Sequence, residues 1–413
     1  MKRLSKLIFT ALLLSACTAT KAQGFDDYFT DNTLRLDYIF AGDTSHQAIY
    51  VDELNVIPRW YGRRDRLAEL PLKGNGVITV RDRKSQRTIY RHSFSTLFQE
   101  WLATKEAKQT QKSFQNVFLV PYPRHDADIT VELHDYHGNI TATMTHSVCP
   151  EDILIRHLGE QDITPYITLQ TAADTSKCIH ISYVAEGYKK EEMDAFISDA
   201  KSATDALFAH EPFKAMRNRF HVTAVMSPSK DSGASEPGKN IWKNTALHSH
   251  FDTFYSDRYL TTLNLKALHN ILAGTPYEHI IILVNTEKYG GGGIYNSYNL
   301  SYTKGSHFKP VVVHEFGHSF GGLGDEYDYG NDDPMYFPDM EPWEPNLTTK
   351  HGFKGKWENL VKEKKAGLIE GGGYQPKGVF RGFENCRMRT NDVPDFCLVC
   401  QQALTRLIKF YTE

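Results

Sequence analysis

Residues 311–327, Val-Val-Val-His-Glu-Phe-Gly-His-Ser-Phe-Gly-Gly-Leu-Gly-Asp-Glu-Tyr, constrain this chain more than any other part of it. His314 and His318 stand four apart, with Glu315 between them. On a helix, residues four apart lie one turn above the other on the same face, so both imidazoles reach one metal ion. Glu315 then falls beside that ion, where a carboxylate takes a proton from bound water. The flanks read as a buried helix: Val311, Val312 and Val313 run into the motif, and Phe316 and Phe320 continue it. Pro310 suits the first helical position, whose N–H has no helical partner. Such spacing also arises by chance on solvated helix faces. Buried histidines and a buried glutamate need partners, however, and a metal supplies them. The residues point to a zinc peptidase.

Zinc in a hydrolase needs a third protein ligand and an open position. Gly321 and Gly322 are natural helix terminators, because glycine accepts the left-handed conformation at a helix end. The chain is expected to turn there and bring residues 323–328 back towards the metal. In metzincin-type peptidases the third ligand follows a glycine by three residues. Counted from Gly321, that position is Gly324, which has no ligating atom; counted from Gly322, it is Asp325. Asp325 is the expected ligand, one residue further from the second histidine than the metzincin pattern has it. Glu326 and then Asp328 are the alternatives, and an ordinary loop acid orienting a histidine is the bland one.

The segment His314 to Tyr327 resembles the active-site segment of the IgA-peptidase family of bacterial zinc metallopeptidases. Further stretches resemble landmarks of that family: Ser249-His-Phe-Asp-Thr-Phe-Tyr-Ser-Asp-Arg-Tyr259, Glu341-Pro-Trp-Glu-Pro-Asn-Leu-Thr-Thr349, Asn385-Cys-Arg-Met-Arg389 and Phe396-Cys-Leu-Val-Cys400. The resemblance covers about 160–413 and extends to a β-rich domain before it. It implies a metzincin-like active site, and Met388 resembles the methionine that forms an apolar floor under the histidines there. The bland role for Met388 is a core gap-filler.

The chain opens with Lys2, Arg3 and Lys6, followed by an apolar stretch, Leu7 to Leu14, too short to be a permanent span. Leu14-Ser-Ala-Cys17 then matches the processing site of bacterial lipoproteins, with Cys17 as the lipidated residue. The expectation is an exported bacterial lipoprotein, facing the periplasm or the cell surface and held to the membrane only through lipid. Ordinary secretion with cleavage nearby, for example after Ala22, is the alternative. Net charge is −3 with acids and bases mixed, which indicates no nucleic-acid partner. Beside Cys17 the chain has Cys149, Cys178, Cys386, Cys397 and Cys400. Export favours disulfides, and a bridge from Cys386 to Cys397 or Cys400 is the preferred reading, pinning the methionine turn to the C-terminal helix. The lone Cys397-x-x-Cys400 is weak evidence for zinc or redox chemistry.

The organisation expected is α+β and multidomain: a lipoprotein signal peptide over 1–17, an antiparallel β-sandwich over 24–150 and an α/β metzincin-like zinc peptidase domain over 160–413. Leu34-Arg-Leu-Asp-Tyr-Ile-Phe, Gly76-Val-Ile-Thr-Val, Arg87-Thr-Ile-Tyr-Arg and Ile129-Thr-Val-Glu-Leu alternate as strands, separated by turns such as Lys73-Gly-Asn-Gly and His137-Gly-Asn. Beyond 160, Cys178-Ile-His-Ile-Ser-Tyr-Val and Phe220-His-Val-Thr-Ala-Val-Met read as strands, and 190–208 has helical spacing. His279-Ile-Ile-Ile-Leu-Val-Asn reads as a strand buried on both faces. Gly293-Ile-Tyr-Asn-Ser-Tyr298 is the candidate sheet edge for a substrate strand, its leading glycines allowing close approach. The function expected is an endopeptidase acting on protein or peptide substrates, with Zn2+ on His314, His318 and Asp325 and Glu315 as general base. Tyr327, Tyr298 and His307 are the candidates to stabilise the oxyanion. An exopeptidase, a cell-wall peptide hydrolase and a non-catalytic binding lipoprotein with a structural metal are the alternatives.

Overall fold

The computed structural model describes residues 24–330 and 335–413 of the 413-residue chain. Cys17 and the expected signal peptide over 1–17 lie outside the described residues. Among those described, no helix is long and apolar enough to cross a membrane. The fold is α+β, with several sheets and few helices.

The N-terminal part begins with a short helix α1 (Phe25–Tyr28) and continues through strands β1 (Phe29–Gly42), β2 (Gln47–Pro58), β3 (Gly76–Asp82) and β4 (Thr88–Phe94). Helix α2 (Leu97–Leu102) precedes β5 (Lys112–Pro123), β6 (Ala127–His134), β7 (Ile140–Val148) and the two-residue β8 (Arg156–His157). One four-stranded sheet runs β5-β1-β2-β8 and the other β4-β3-β6-β7. Alternation decides the inner faces: along β6 every second residue is buried, which puts Ile129, Val131 and Leu133 in the core. Phe40 and Phe118 of one sheet meet Phe94 of the other, with ring centroids 6.2 and 4.3 Å apart.

The remainder is built on a six-stranded sheet. Its strands are β9 (Tyr166–Gln170), β10 (Ile179–Glu186), β11 (Phe220–Val225), β12 (His279–Val284), β13 (Gly291–Ile294) and β14 (Tyr298–Tyr302), in the order β13-β14-β12-β10-β11-β9. The inner four are parallel, and both edge strands are antiparallel to their neighbours. Every residue of β10 and β12 is buried, as continuous apolar runs require when both faces of a parallel sheet are covered. Helices α3 (Met193–Leu207), α4 (Leu265–Leu272) and α5 (Phe308–Ser319) cover it, with α5 lying on β13 and β14 and α3 against α5. A short helix α6 (Glu358–Lys362), a hairpin of β15 (Ile369–Gly372) and β16 (Gln375–Arg381), and the C-terminal helix α7 (Leu398–Thr412) complete the chain.

The two parts share one apolar core, in which Ile78, Phe98 and Phe118 are continuous with Leu260, Leu268 and Tyr298. Polar contacts fix their register. Arg35 and Asp37 of β1 form a bidentate pair at 2.7 Å, and Arg35 also donates to Asn270 of α4 at 2.7 Å. The Ser95 N–H donates to the Tyr295 carbonyl at 3.0 Å, and Asn296 donates to the Ser93 carbonyl at 2.8 Å.

Candidate active site

Helix α5 starts at Phe308, so Pro310 occupies its third position rather than its first. Both lie in the turn whose N–H groups have no helical acceptor, and the proline costs no bond there. The helix stops at Ser319, and Gly322 takes the left-handed conformation at φ +57°. The Gly322 N–H then donates to the His318 carbonyl at 2.9 Å and the Leu323 N–H to the Gly317 carbonyl at 3.1 Å. This reversal returns residues 323–326 under the helix.

His314, His318 and Asp325 converge. The Nδ1–H of His314 donates to the Arg387 carbonyl at 2.9 Å and that of His318 to the Leu323 carbonyl at 2.6 Å. Those bonds fix both tautomers and turn each Nε2 inward. The two Nε2 atoms are 3.0 Å apart, and Asp325 Oδ1 lies 3.1 Å from one and 3.3 Å from the other. Zn–N and Zn–O bonds of about 2.0–2.2 Å in a tetrahedron place ligand atoms about 3.3 Å apart. The three donors therefore fit one zinc ion. Asp325 Oδ1 is buried without a hydrogen-bond partner, while Oδ2 accepts from the Tyr374 hydroxyl, so one oxygen is held and the other is presented.

The local field calls for a cation. Burial works against a charged ring, but the Asp325 carboxylate outweighs it and pushes His318 up to about 9, with His314 shifted the same way. Burial likewise works against ionised Asp325, yet the two histidines hold it well below the usual carboxylate range. Glu315 is the exception in this group. Its carboxylate stands beside the two rings, and burial raises it above the ordinary value despite their pull.

Glu326, adjacent to Asp325 in sequence, points elsewhere: its Oε1 accepts from Asn346 at 2.9 Å and faces cysteine sulfurs. Asp328 is exposed and bridges to Tyr374 along the backbone. Met388 is fully buried against the underside of α5, where a Cβ on Gly317 would lie 2.7 Å from its sulfur. Its carbonyl accepts from the Glu326 N–H at 2.8 Å, which ties the methionine turn to the Asp325 loop.

Two expectations are corrected. The sheet edge is Gly291–Ile294, not 293–298, since residues 295–297 turn into β14. Its glycines make room for α5: a Cβ on Gly291 would lie 2.5 Å from Glu315 Oε1, and one on Gly293 2.5 Å from the Glu315 carbonyl oxygen. The preferred disulfide is absent, because all five described cysteines are free and Cys386 and Cys400 keep their sulfurs 3.6 Å apart. Of the oxyanion candidates, Tyr298 is committed to the Thr262 carbonyl at 2.9 Å, and His307 stands just before α5 with its Nδ1 3.1 Å from the Ser306 hydroxyl. Tyr327 packs edge-on against Tyr374, with ring centroids 5.4 Å apart.

Sequence reasoning missed Tyr374 and Glu100. Tyr374 follows three glycines, Gly371 to Gly373, all at positive φ in the β15–β16 hairpin, so the tight turn was readable but not its destination. Glu100 comes from α2 in the N-terminal part and accepts from the Tyr259 hydroxyl. Burial, opposed by Tyr259 and His318, raises it to about 7, and it also senses the charges of Asp325 and Glu315.

The profile of the IgA Peptidase M64 family matches residues 167–366 and 362–408, and that of the Peptidase M64 N-terminus matches 24–145. No curated protein matches the chain. Among solved structures, the crystal structure of metalloproteinase-II from Bacteroides fragilis is 14% identical, covering 60% of this chain and 78% of that one, with a TM-score of 0.23.

Proposed function

The chain belongs to the IgA Peptidase M64 family, and we propose that it is a zinc-dependent endopeptidase with His314, His318 and Asp325 as ligands and Glu315 as general base. One observation carries the reading: two inward-turned Nε2 atoms and a partnerless carboxylate oxygen meet within 3.0–3.3 Å, with a second carboxylate beside them. A nitrogen–nitrogen–oxygen set leaving a fourth position open is that of a hydrolytic zinc. When bound, zinc supplies a Lewis acid that polarises the scissile carbonyl and acidifies water.

The protein's own groups do the rest. The Arg387 and Leu323 carbonyls keep both rings aimed, and Tyr374 keeps Asp325 presenting a single oxygen. Glu315 takes a proton from the attacking water and passes it to the leaving amine; its raised affinity for protons suits both halves of that task. Met388 underlies the histidines as an apolar floor that excludes water from below. We place the peptide alongside β13, whose edge is bridged at Gly291 by Tyr259, so that it runs past Glu315 with chain on either side of the scissile bond, as an endopeptidase requires. We read the two facing N-terminal sheets over 24–150 as a β-sandwich and the part over 160–413 as the metzincin-like catalytic domain. Export as a lipoprotein through Cys17 belongs to the same proposal. Cys17→Ser is expected to move the protein from the membrane fraction to the soluble one, and unchanged fractionation without fatty-acid labelling would contradict it.

The activity is tested with an internally quenched peptide library. Cleavage within peptides blocked at both ends, abolished by a chelator and restored by zinc, is the expected result. Release of terminal residues only would make the enzyme an exopeptidase, and chelator-resistant cleavage would remove the metal from the mechanism.

A further inference from the structure

Below the Asp325 loop, on the far side of the backbone from the histidines, Glu326, Cys386, Cys397 and Cys400 meet in the core. Their exposures are 1%, 0%, 8% and 0%. One donor atom from each lies within 4.8 Å of the others. The Cys386–Cys400 sulfur separation of 3.6 Å is far from the roughly 2.05 Å of a disulfide. It is close to the ~3.8 Å edge of a tetrahedron built on Zn–S bonds of about 2.3 Å. Glu326 Oε1 stands 3.2 Å from the Cys400 sulfur and 4.0 Å from that of Cys397.

The surroundings are those of a ligand cage rather than of three packed thiols. Glu326 Oε2 is buried with no hydrogen-bond partner, and burying an unpartnered carboxylate oxygen is costly without a cation. Asn346 donates to Oε1 at 2.9 Å and is itself fixed by paired bonds to Gly324, both 2.8 Å. The Cys397 N–H donates to the Cys386 sulfur at 3.2 Å, which stabilises a thiolate. Arg387, next to Cys386 and buried, bonds to His210 and to the Asn391 carbonyl and makes no ion pair among the described residues, so its charge offsets part of the anionic excess. The Cys397-x-x-Cys400 spacing is that of a zinc-binding pair.

We propose that Cys386, Cys397, Cys400 and Glu326 form a second, closed site for a zinc-like divalent cation. With four protein donors it has no open position, so its role is structural. It joins the residue after Asp325, the turn holding Met388 and the start of α7 at one point, and so sets the height of the catalytic loop under α5. The proposal does not depend on the first site being catalytic.

Metal content of the full-length protein tests it. Wild type is expected to hold two equivalents of zinc, and His314→Ala/His318→Ala one. In that histidine variant, p-hydroxymercuribenzoate should release the remaining zinc, and cobalt(II) in its place should give an intense thiolate charge-transfer band. Cys397→Ser/Cys400→Ser should lose this band; should that variant fail to fold, the band in the histidine variant decides alone. A histidine variant with no zinc and no cobalt–thiolate band would overturn the proposal. So would Cys386 and Cys400 resisting alkylation in denatured, unreduced protein, which would mean a disulfide. If the catalytic reading alone is wrong, either wild type and the histidine variant both hold one equivalent, or wild type holds two and cleaves no peptide; the thiolate band is unchanged in each case.

Discussion

Tyr374→Phe removes one hydroxyl whose described function is to hold Asp325 Oδ2. It is expected to weaken zinc retention or activity by about 10- to 100-fold without unfolding the protein. Competition against a calibrated chelator, with peptide turnover measured in parallel, checks this. Asp325→Ala is expected to release the histidine-bound metal outright, which elemental analysis after dialysis reads. His314, Glu315 and His318 were legible because helical geometry brings residues four apart together without help from the rest of the fold. Asp325 and Glu326 were separable only by counting from Gly322; the structure parts them by orientation, one towards the histidines and the other towards the cysteines. Tyr374 and Glu100 were not legible, since each reaches the site through a hairpin or a neighbouring sheet unrelated to the motif.

At the level of elements, β13 and α5 approach so closely that side chains are excluded between them. Gly293→Ala would set a methyl 2.5 Å from the Glu315 carbonyl oxygen and 2.9 Å from the His318 Cβ. Overpacking of that kind costs about 1–3 kcal/mol, so a lowered denaturation midpoint with loss of activity is expected. The sheet beneath carries its own pH dependence. His279, at the start of β12, packs edge-on to Phe320 and Tyr411 with centroids 4.9 and 5.6 Å away, and its Nε2 has no partner. Burial first, and then neighbouring His92 and His180, lower it from 6.5 to about 3. Between those values the unfolded chain binds a proton that the folded protein refuses. The stability from this group is complete above about pH 6.5 and is lost as pH falls towards 3. His279→Phe should flatten the acid side of the stability curve by up to about 1.4 kcal/mol per pH unit, measured by urea unfolding at several pH values. The elements themselves read well where pattern and burial agree, as in β10, β12 and α3. The edge strand was misplaced because glycine runs have no periodicity to read.

The whole molecule depends on a joint that sequence pattern concealed. Leu34-Arg-Leu-Asp-Tyr alternates like a strand with one wet face, yet Arg35 and Asp37 are fully buried because α4 covers that face. Alternation shows that a strand has two different faces, not that the polar one meets water. Asp37→Ala leaves a buried guanidinium unpaired and should cost about 3–5 kcal/mol, seen as a lowered unfolding midpoint. The change of pattern near residue 160 was visible in the sequence; the single core running through both parts was not. That joint also brings Glu100 to within electrostatic reach of His318 and Glu315. The central claim is that the histidines and Asp325 hold a metal whose chemistry Glu315 serves without ligating it. Zinc content and peptide turnover of purified Glu315→Ala, set against wild type, test this most directly. The variant is expected to retain the wild-type zinc content and to lose activity by about 100-fold or more. Near-normal turnover by the zinc-loaded variant would contradict the account, and so would loss of the metal along with Glu315.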